Sequence, residues 1–168
     1  MTPILDDQTL EFVSRSAEQT QRLGARLGAL LRGGEVICLQ GPLGSGKTCL
    51  AQGVGRGWGA SHTLTSPTFV LVREYTRPDE PVTLFHIDLY RIEEHQEIYS
   101  LGIDEYMGHR QAVCIIEWAE RAETFVPSDR LWVEMDFVDP TRRSLQITAH
   151  GRLHRKLLKM FRQEAFGG

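Results

Sequence analysis

The sequence predicts an α/β fold of three layers, in which a mixed central β-sheet is flanked by helices. Three observations lead to this prediction. An apolar, partly β-branched stretch, residues 36–40, precedes a glycine-rich loop and then a segment that can continue as a helix. A second stretch, residues 112–116, has the unbroken hydrophobicity of a strand covered on both faces. Two later segments, residues 130–138 and 144–149, alternate apolar and polar residues as half-buried strands do.

Local signals place further elements around this sheet. Residues 14–31 are predicted to form the first helix, with Ser16 and Gln19 as a capping box at its start. Residues 69–75 and 82–90 are two strand candidates separated by a turn that contains two prolines, and we expect them to pair as a hairpin.

Two more helices are expected, and one of them carries many glycines. The helix that starts near Lys47 contains four glycines at alternate positions, and each lowers helix stability by up to about 1 kcal/mol relative to alanine. We therefore expect this helix to fray by Trp58. A short acidic helix is predicted over residues 93–101.

Composition indicates one globular domain over residues 1–168. The chain has 168 residues and a net charge of -3, which gives no general argument for nucleic-acid binding. Residues 1–11 are predicted to be flexible; they carry two aspartates and no apolar core, so a secretory signal is not expected. No apolar run approaches the roughly 20 residues that span a bilayer, so no membrane association is predicted.

The three cysteines, Cys38, Cys49 and Cys114, form no C-x-x-C pair. Cys38 and Cys114 lie in apolar runs and are expected to be small core residues. This pattern predicts a reducing, cytoplasmic location.

Residues 151–168 are predicted to form a terminal basic amphipathic helix. Leu153, Leu157, Met160 and Phe161 share one face, and arginines and lysines occupy the other. The expected arrangement is a helix docked on the domain with a solvated basic face. The alternative is contact with RNA or with an acidic partner.

Residues 41–48 fit the phosphate-binding loop (Walker A) pattern G-x-x-x-x-G-K-[ST] at every fixed position, which makes the predicted fold P-loop NTPase-like. In such a loop, backbone N–H groups and the helix N-terminus hold an anion through their oriented dipoles. Lys47 reaches the β- and γ-phosphates of ATP, and the hydroxyl of Thr48 is available to Mg²⁺. The predicted nucleotide contacts in this stretch are Gly41, Leu43, Gly44, Ser45, Gly46, Lys47, Thr48 and Cys49.

A phosphate loop also needs a carboxylate at the end of an apolar strand, and two positions have this form. Glu117 ranks first because the strand before it is the more apolar, and so is the expected neighbour of the phosphate-loop strand. Asp88 is the second candidate, as a ligand of Mg²⁺ or as the group that orients the attacking water. For either acid, the alternative is a carboxylate that leaves a strand at the surface.

Three neighbouring residues are weaker candidates. Thr68 could meet the γ-phosphate as a switch threonine does, although the position alone favours a plain turn residue before a strand. His86 faces the same side of a strand as Asp88, so the pair could bind a transition metal. No third ligand has a suitable spacing, however, so packing or hydrogen bonding near the site is the favoured role of His86. Trp118 could stack on a base or be a core tryptophan.

Together, residues 41–48, 66–69, 86–91, 101–106 and 117–118 resemble the TsaE (YjeE) family, in sequence and in order. The resemblance covers about residues 12–150. The segments S-P-T-F and H-x-D-L-Y-R are far more specific than the phosphate loop, which many families share.

The resemblance implies a small α/β P-loop fold and weak ATP hydrolysis with Mg²⁺. It also implies a complex with TsaD and TsaB, which modify adenosine 37 of tRNA to its threonylcarbamoyl form, so that tRNA is met mainly through that complex. TsaE is expected to reset the pair between turnovers.

By position, the resemblance also assigns roles to residues. Lys47 and Thr48 take the phosphate and Mg²⁺ roles, and Glu117 takes that of the second Mg²⁺ ligand. Asp88 matches the family's functionally important aspartate, and Trp118 the tryptophan beside the site. Arg143 matches a late arginine near the nucleotide, a place that Arg142 could also fill, and the adenine side is expected near residues 16–20.

The sequence departs from the family at Pro42 and Cys49, where other residues are common, but neither change removes a phosphate contact. Two other functions remain open: a small-molecule kinase, and a nucleotide-gated binding module without catalysis.

Overall fold

The computed structural model describes residues 4–5, 7–65 and 71–167. The strands are β1 (Ile4–Leu5), β2 (Thr9–Ser14), β3 (Val36–Gln40), β4 (Val72–Tyr75), β5 (Thr83–Asp88), β6 (Ala112–Glu117), β7 (Arg130–Phe137) and β8 (Arg143–His150). The helices are α1 (Ala17–Gly28), α2 (Lys47–Trp58), α3 (His95–Leu101) and α4 (Arg152–Phe166). Two short 3₁₀ turns, Ile103–Glu105 and Ala119–Ala122, follow α3 and β6.

All eight strands belong to one mixed sheet, in the order β1-β2-β8-β7-β3-β6-β5-β4. The four strands β7, β3, β6 and β5 are parallel, and antiparallel strands extend the sheet at both edges. The strand before the glycine-rich loop therefore has β6 on one side and β7 on the other. Leu39 of β3 lies opposite Glu117 of β6, which confirms the prediction that these two strands are neighbours.

Helices cover both faces of the central sheet, which confirms the three-layer prediction. Because successive side chains of a strand point to opposite faces, β3 contributes to two hydrophobic clusters. Ile37 and Leu39 pack in the cluster formed with α1, α2 and α4. Val36 and Cys38 pack in the cluster that contains Ile98 of α3.

The start of the chain differs from the prediction. Residues 1–11 were expected to be flexible, but Thr9–Ser14 forms β2 and pairs with β8 over its whole length. The first helix therefore begins at Ala17 rather than at residue 14. Ser16 does cap it, since its side chain accepts a hydrogen bond from the backbone N–H of Gln19. The Gln19 side chain accepts from the N–H of Arg15 rather than completing the capping box.

The hairpin of β4 and β5 is confirmed. β4 begins at Val72, and residues 69 and 70 of the predicted strand lie outside the described residues. The helix α2 ends at Trp58, where the glycine-rich sequence predicted its end.

The glycines of α2 have a packing role that the sequence prediction missed. A Cβ atom built on Gly57 would lie 1.9 Å from the carbonyl oxygen of Ala25 on α1, and one on Gly53 would lie 2.2 Å from that of Gln21. On the α1 side, a Cβ on Gly28 would lie 2.0 Å from the carbonyl oxygen of Val54. The two backbones thus approach so closely that only glycine fits at these positions.

We expect Gly57→Ala to destabilise the protein by about 3 kcal/mol, because an overpacked contact with backbone atoms must push the helices apart. Helix propensity alone predicts the opposite sign, a gain of up to about 1 kcal/mol. Thermal unfolding measures the difference, and a loss of this size lowers Tm by roughly 10 °C in a chain this long. The matched control is Arg56→Ala, on the exposed side of the same helix. An unchanged or raised Tm in the Gly57→Ala variant would show that α1 and α2 are not in close contact.

The basic C-terminal helix docks on the domain as predicted. Leu157 and Phe161 are buried, whereas Arg155, Lys156 and Lys159 are exposed. The contact with RNA or an acidic partner stays a prediction. Among the described helices, none is both long and apolar enough to cross a bilayer.

A buried histidine fixes the start of α4. His154 has no exposed surface, and its Nε2 accepts a hydrogen bond from the backbone N–H of Val36 at 2.9 Å. Its Nδ1 lies 2.6 Å from a carboxylate oxygen of Asp129. Burial lowers the pKa of His154, while the hydrogen bond to Asp129 acts in the opposite direction. This pair ties the helix to β3 and to the loop before β7.

Candidate functional site

Glycine gives the loop between β3 and α2 its shape. Gly44 and Gly46 adopt φ angles of +80° and +102°, which L side chains rarely allow. A Cβ on Gly41 would lie 2.4 Å from the carbonyl oxygen of Met135 on β7. The loop leads directly into the N-terminus of α2, where backbone N–H groups without helical partners give a positive electrostatic potential.

Lys47 places a buried positive charge at this loop. Its side chain is 5% exposed, and its Nζ donates hydrogen bonds to the carbonyl oxygens of Gly41 at 2.5 Å and Pro42 at 3.0 Å. Burial lowers the pKa of Lys47, and the nearby carboxylates of Glu117 and Glu120 act in the opposite direction. No ion pair to this ammonium is formed within the described part of the chain. A buried cation that is held by neutral groups and has no ion pair among the described residues suits an anionic ligand.

Glu117 is the acid that faces the loop, as the sequence predicted. Its Oε1 accepts a hydrogen bond from the hydroxyl of Thr48 at 2.7 Å, across the gap between β6 and the start of α2. Its Oε2 lies 2.6 Å from Nε2 of His86 on β5. Glu117 is buried, and each of its carboxylate oxygens has a hydrogen-bond partner. His86 thus forms a hydrogen bond near the site, which is the second of its two predicted roles.

Asp88 lies at the same edge of the sheet, opposite Glu117 in the register of β5 and β6. One of its carboxylate oxygens accepts a hydrogen bond from the backbone N–H of Tyr90 at 2.9 Å. We call the cleft of about 300 Å³ in which it lies the Trp118 cleft. It is lined by Leu43, Gly44, Gly46, Lys47, Thr48, Cys49, Asp88, Tyr90 and Trp118. Asp88 and Thr48 therefore border one space.

Trp118 has an unusual backbone conformation for a large residue, with a φ of +59°. The ring lies beside the buried ammonium, with Lys47 Nζ 4.2 Å from its centroid. Such contacts between a cation and an aromatic face are attractive. The strained turn after β6 thus places the indole in the cleft, where the sequence suggested either stacking or core packing.

Two residues near the cleft had no predicted role. Arg121 donates hydrogen bonds to the carbonyl oxygens of Leu89, Tyr90 and Ile92, and so holds the turn that follows Asp88. Burial raises the pKa of Glu120, one of whose carboxylate oxygens is buried without a hydrogen-bond partner among the described residues. No motif in the sequence marks either residue.

A second cleft lies on the other side of the loop. This Arg143 cleft has a volume of about 440 Å³ and is lined by Ser16, Ala17, Glu18, Thr20, Gly44, Gly46, Cys49, Pro140, Thr141 and Arg143. Nη2 of Arg143 lies 3.4 Å from the carbonyl oxygen of Gly44, whereas Arg142 forms an ion pair with Asp139 at 2.6 Å. Of the two arginines considered, Arg143 is the one that lines the cleft.

The structure brings together nearly all of the predicted site. Lys47, Thr48, Asp88, Glu117 and Trp118 meet at one edge of the parallel strands, and Arg143 and the start of α1 lie beside them. Thr68 and the rest of residues 66–70 lie outside the described residues. Among the residues that are described, no group of three or more histidine, cysteine or acidic side chains could hold a metal ion, so the transition-metal alternative for His86 gains no support.

The fold and the site define a class: an α/β protein with a Walker A sequence between a parallel strand and a helix, and with an acid of the next strand against the loop. The model of the family "Threonylcarbamoyl adenosine biosynthesis protein TsaE" matches residues 14–145. This protein belongs to the TsaE family.

Individual relatives agree. A Bacillus subtilis protein named "tRNA threonylcarbamoyladenosine biosynthesis protein TsaE" is 34% identical over 148 residues, which cover 88% of this chain and 90% of that protein. A protein of the same name from a Nostoc species is 39% identical over 145 residues, with 84% and 87% coverage. The crystal structure of Bacillus subtilis YdiB superposes with a TM-score of 0.75 at 28% identity, and covers 93% of this chain and 95% of the other.

Proposed function

We propose that this protein binds ATP with Mg²⁺ in the Trp118 cleft and hydrolyses it slowly, in the cytoplasm, as part of the threonylcarbamoylation of tRNA at adenosine 37. We further propose that it acts on a complex of TsaD and TsaB and permits repeated turnover, so that it meets tRNA mainly through that complex. The single observation that supports ATP chemistry best is the hydrogen bond between Thr48 and Glu117. It joins the last residue of the phosphate-loop motif to the acid of the neighbouring strand, which is the pair of groups such sites use for Mg²⁺.

The residues fit a magnesium ion. Mg²⁺ prefers oxygen ligands and keeps several waters, so it needs only one or two protein groups together with phosphate oxygens. The hydroxyl of Thr48 gives its hydrogen to Glu117 and keeps its oxygen lone pairs for a cation. Glu117, and Asp88 directly or through water, would complete the protein side of the site. When bound, the ion neutralises charge on the phosphate oxygens.

The chain's own groups then account for the remaining steps. Lys47 would exchange its two carbonyl partners for the phosphates, and the loop N–H groups would hold the same oxygens. Asp88 borders the cleft and would orient the water that attacks the γ-phosphate, with ADP leaving along the loop. Trp118 lies beside Lys47 and would help to shield it from solvent.

The nucleoside would lie in the Arg143 cleft, because this cleft shares Gly44, Gly46 and Cys49 with the Trp118 cleft. The start of α1 and the guanidinium of Arg143 would contact it. This placement agrees with the expectation that residues 16–20 form the adenine side.

Cys49 allows a direct test of where ATP binds. It lines both clefts and is partly exposed, whereas Cys38 and Cys114 are buried and burial raises the pKa of each of their thiols to about 12. Burial also raises the pKa of Cys49, so alkylation by iodoacetamide is best followed at mildly alkaline pH. We expect saturating ATP to slow the alkylation at least about fivefold, because nucleotide covers the thiol. Cys49→Ser provides the background rate, and an equal rate with and without ATP would refute binding at these clefts.

The catalytic part of the proposal is tested by phosphate release with γ-labelled ATP, with and without purified TsaD and TsaB. We expect slow release by the protein alone and a clear rise with the partners. Label appearing in a small acceptor would instead identify a kinase. Binding without hydrolysis under either condition would identify a gated module.

A further inference from the structure

We propose that His86 is a positioning residue, which holds the carboxylate of Glu117 so that its other oxygen stays directed at Thr48. This inference rests on the proposed function and adds a residue to its machinery. It starts from the position of His86: the side chain has no exposed surface and lies on β5, beside the strand that carries Glu117. A fully buried polar ring needs a partner to offset its desolvation.

The hydrogen bond fixes which group donates. A carboxylate only accepts, so the contact of 2.6 Å requires the proton on Nε2 of His86. The other ring nitrogen, Nδ1, is buried and has no hydrogen-bond partner within the described residues. Within the described residues, Glu117 is therefore the one hydrogen-bond partner of the His86 ring.

The geometry at Glu117 makes this hydrogen bond consequential. A glutamate side chain rotates about its terminal bond, and that rotation exchanges its two oxygens. Thr48 binds one oxygen and His86 the other, so the plane of the carboxylate is set from two sides. If His86 no longer donated, the carboxylate would be held by the Thr48 hydroxyl alone, and that hydroxyl belongs to the segment that must also receive the nucleotide.

Two substitutions of His86, with side chains of similar length, distinguish loss of the hydrogen-bond donor from loss of packing. His86→Gln keeps an N–H close to the position of Nε2, and His86→Met removes the donor while filling much of the same space. Thermal shifts with ATP in EDTA measure nucleotide binding, and thermal shifts and phosphate release against Mg²⁺ concentration measure the metal step. In the methionine variant we expect ATP binding in EDTA within about twofold of the parent, but a roughly tenfold higher half-saturating Mg²⁺ concentration and a lower kcat at little changed KM. The glutamine variant is expected to stay within about threefold of the parent.

Equal Mg²⁺ dependence in the parent and the methionine variant would overturn the inference, as would a glutamine variant as impaired as methionine. If the methionine variant does not fold, His86→Asn replaces it, because its amide is one methylene shorter than that of glutamine and cannot reach Glu117. A glutamine variant that again restores the parent's behaviour supports positioning, and equal behaviour of asparagine and glutamine refutes it.

A measurement on the ligand-free protein distinguishes failure of this inference from failure of the proposed function. In ¹⁵N-labelled protein, we expect a downfield Nε2–H signal of His86 that exchanges slowly with water and is absent in Glu117→Ala. If the parent protein shows no Mg²⁺-dependent ATP binding, the proposed function is refuted, and the role of His86 is refuted with it. Absence of the imidazole signal refutes the positioning contact alone.

Discussion

Replacing Lys47 by alanine is expected to weaken ATP binding by at least about a hundredfold. The ammonium is buried, its hydrogen bonds among the described residues go to the carbonyl oxygens of Gly41 and Pro42, and it lies at the N-terminus of α2, where phosphate oxygens would be held. A hydrogen bond to a charged group contributes about 1.5–3 kcal/mol, and Lys47 would make two or more of them to phosphate. Isothermal titration of ATP in the presence of Mg²⁺ measures the loss.

The matched control for Lys47 is Lys156→Ala, which removes an exposed lysine from α4 and leaves the loop untouched. Its ATP affinity should equal that of the parent. Undiminished Mg²⁺-dependent turnover in the Lys47 variant would contradict the assignment of the loop.

For Glu117→Gln, we expect kcat to fall by about two to three orders of magnitude, a loss of the size caused by removing one preorganised hydrogen-bond donor from an oxyanion hole. The amide keeps the shape of the side chain and an acceptor for the Thr48 hydroxyl, but it cannot neutralise a divalent ion. ATP binding measured in EDTA should be little changed, so that only the binding gained from Mg²⁺ disappears. Titrations of ATP with and without Mg²⁺, together with phosphate release, separate the two effects.

Glu123→Gln is the control for this second variant, because Glu123 is a mostly exposed acid whose nearest ion-pair contact, with Arg130, is 4.0 Å long. It should behave as the parent does. A Glu117 variant that still gains affinity from Mg²⁺ would place the metal elsewhere.

The part of the site that the sequence predicted is the part that phosphate chemistry constrains. Lys47 and Thr48 stand at fixed positions of a motif, and Glu117 ends the most apolar run of the chain. An unbroken apolar strand is buried on both faces, so it belongs in the middle of a parallel sheet and beside β3. That argument needed only local sequence, and the hydrogen bond between Thr48 and Glu117 agrees with it.

Other features depend on contacts between distant segments, which local signals do not contain. Trp118 has a left-handed backbone conformation, which is disfavoured for a large residue. The conformational preference of tryptophan would therefore have predicted a different backbone at this position. Gly53 and Gly57 suggested a weak helix, because propensity describes an isolated helix and does not register the backbone of α1 beside it. Leu10 and Phe12 of β2 are buried, but this strand of six residues gains its stability from pairing with β8 at the far end of the chain, and the local sequence did not predict it.

The order of the strands determines when the site can form during synthesis. The strand before the loop has no sheet neighbour until β6 and then β7 have been made, and the carbonyl of Met135 that packs on Gly41 comes with the later of these. Contacts so far apart in the chain form late. A nascent chain that has left the ribosome only as far as α3 therefore carries residues 41–48 without the two strands that flank β3 in the folded sheet. If ATP binds as proposed, we expect affinity for it to arise only when β7 pairs with β3.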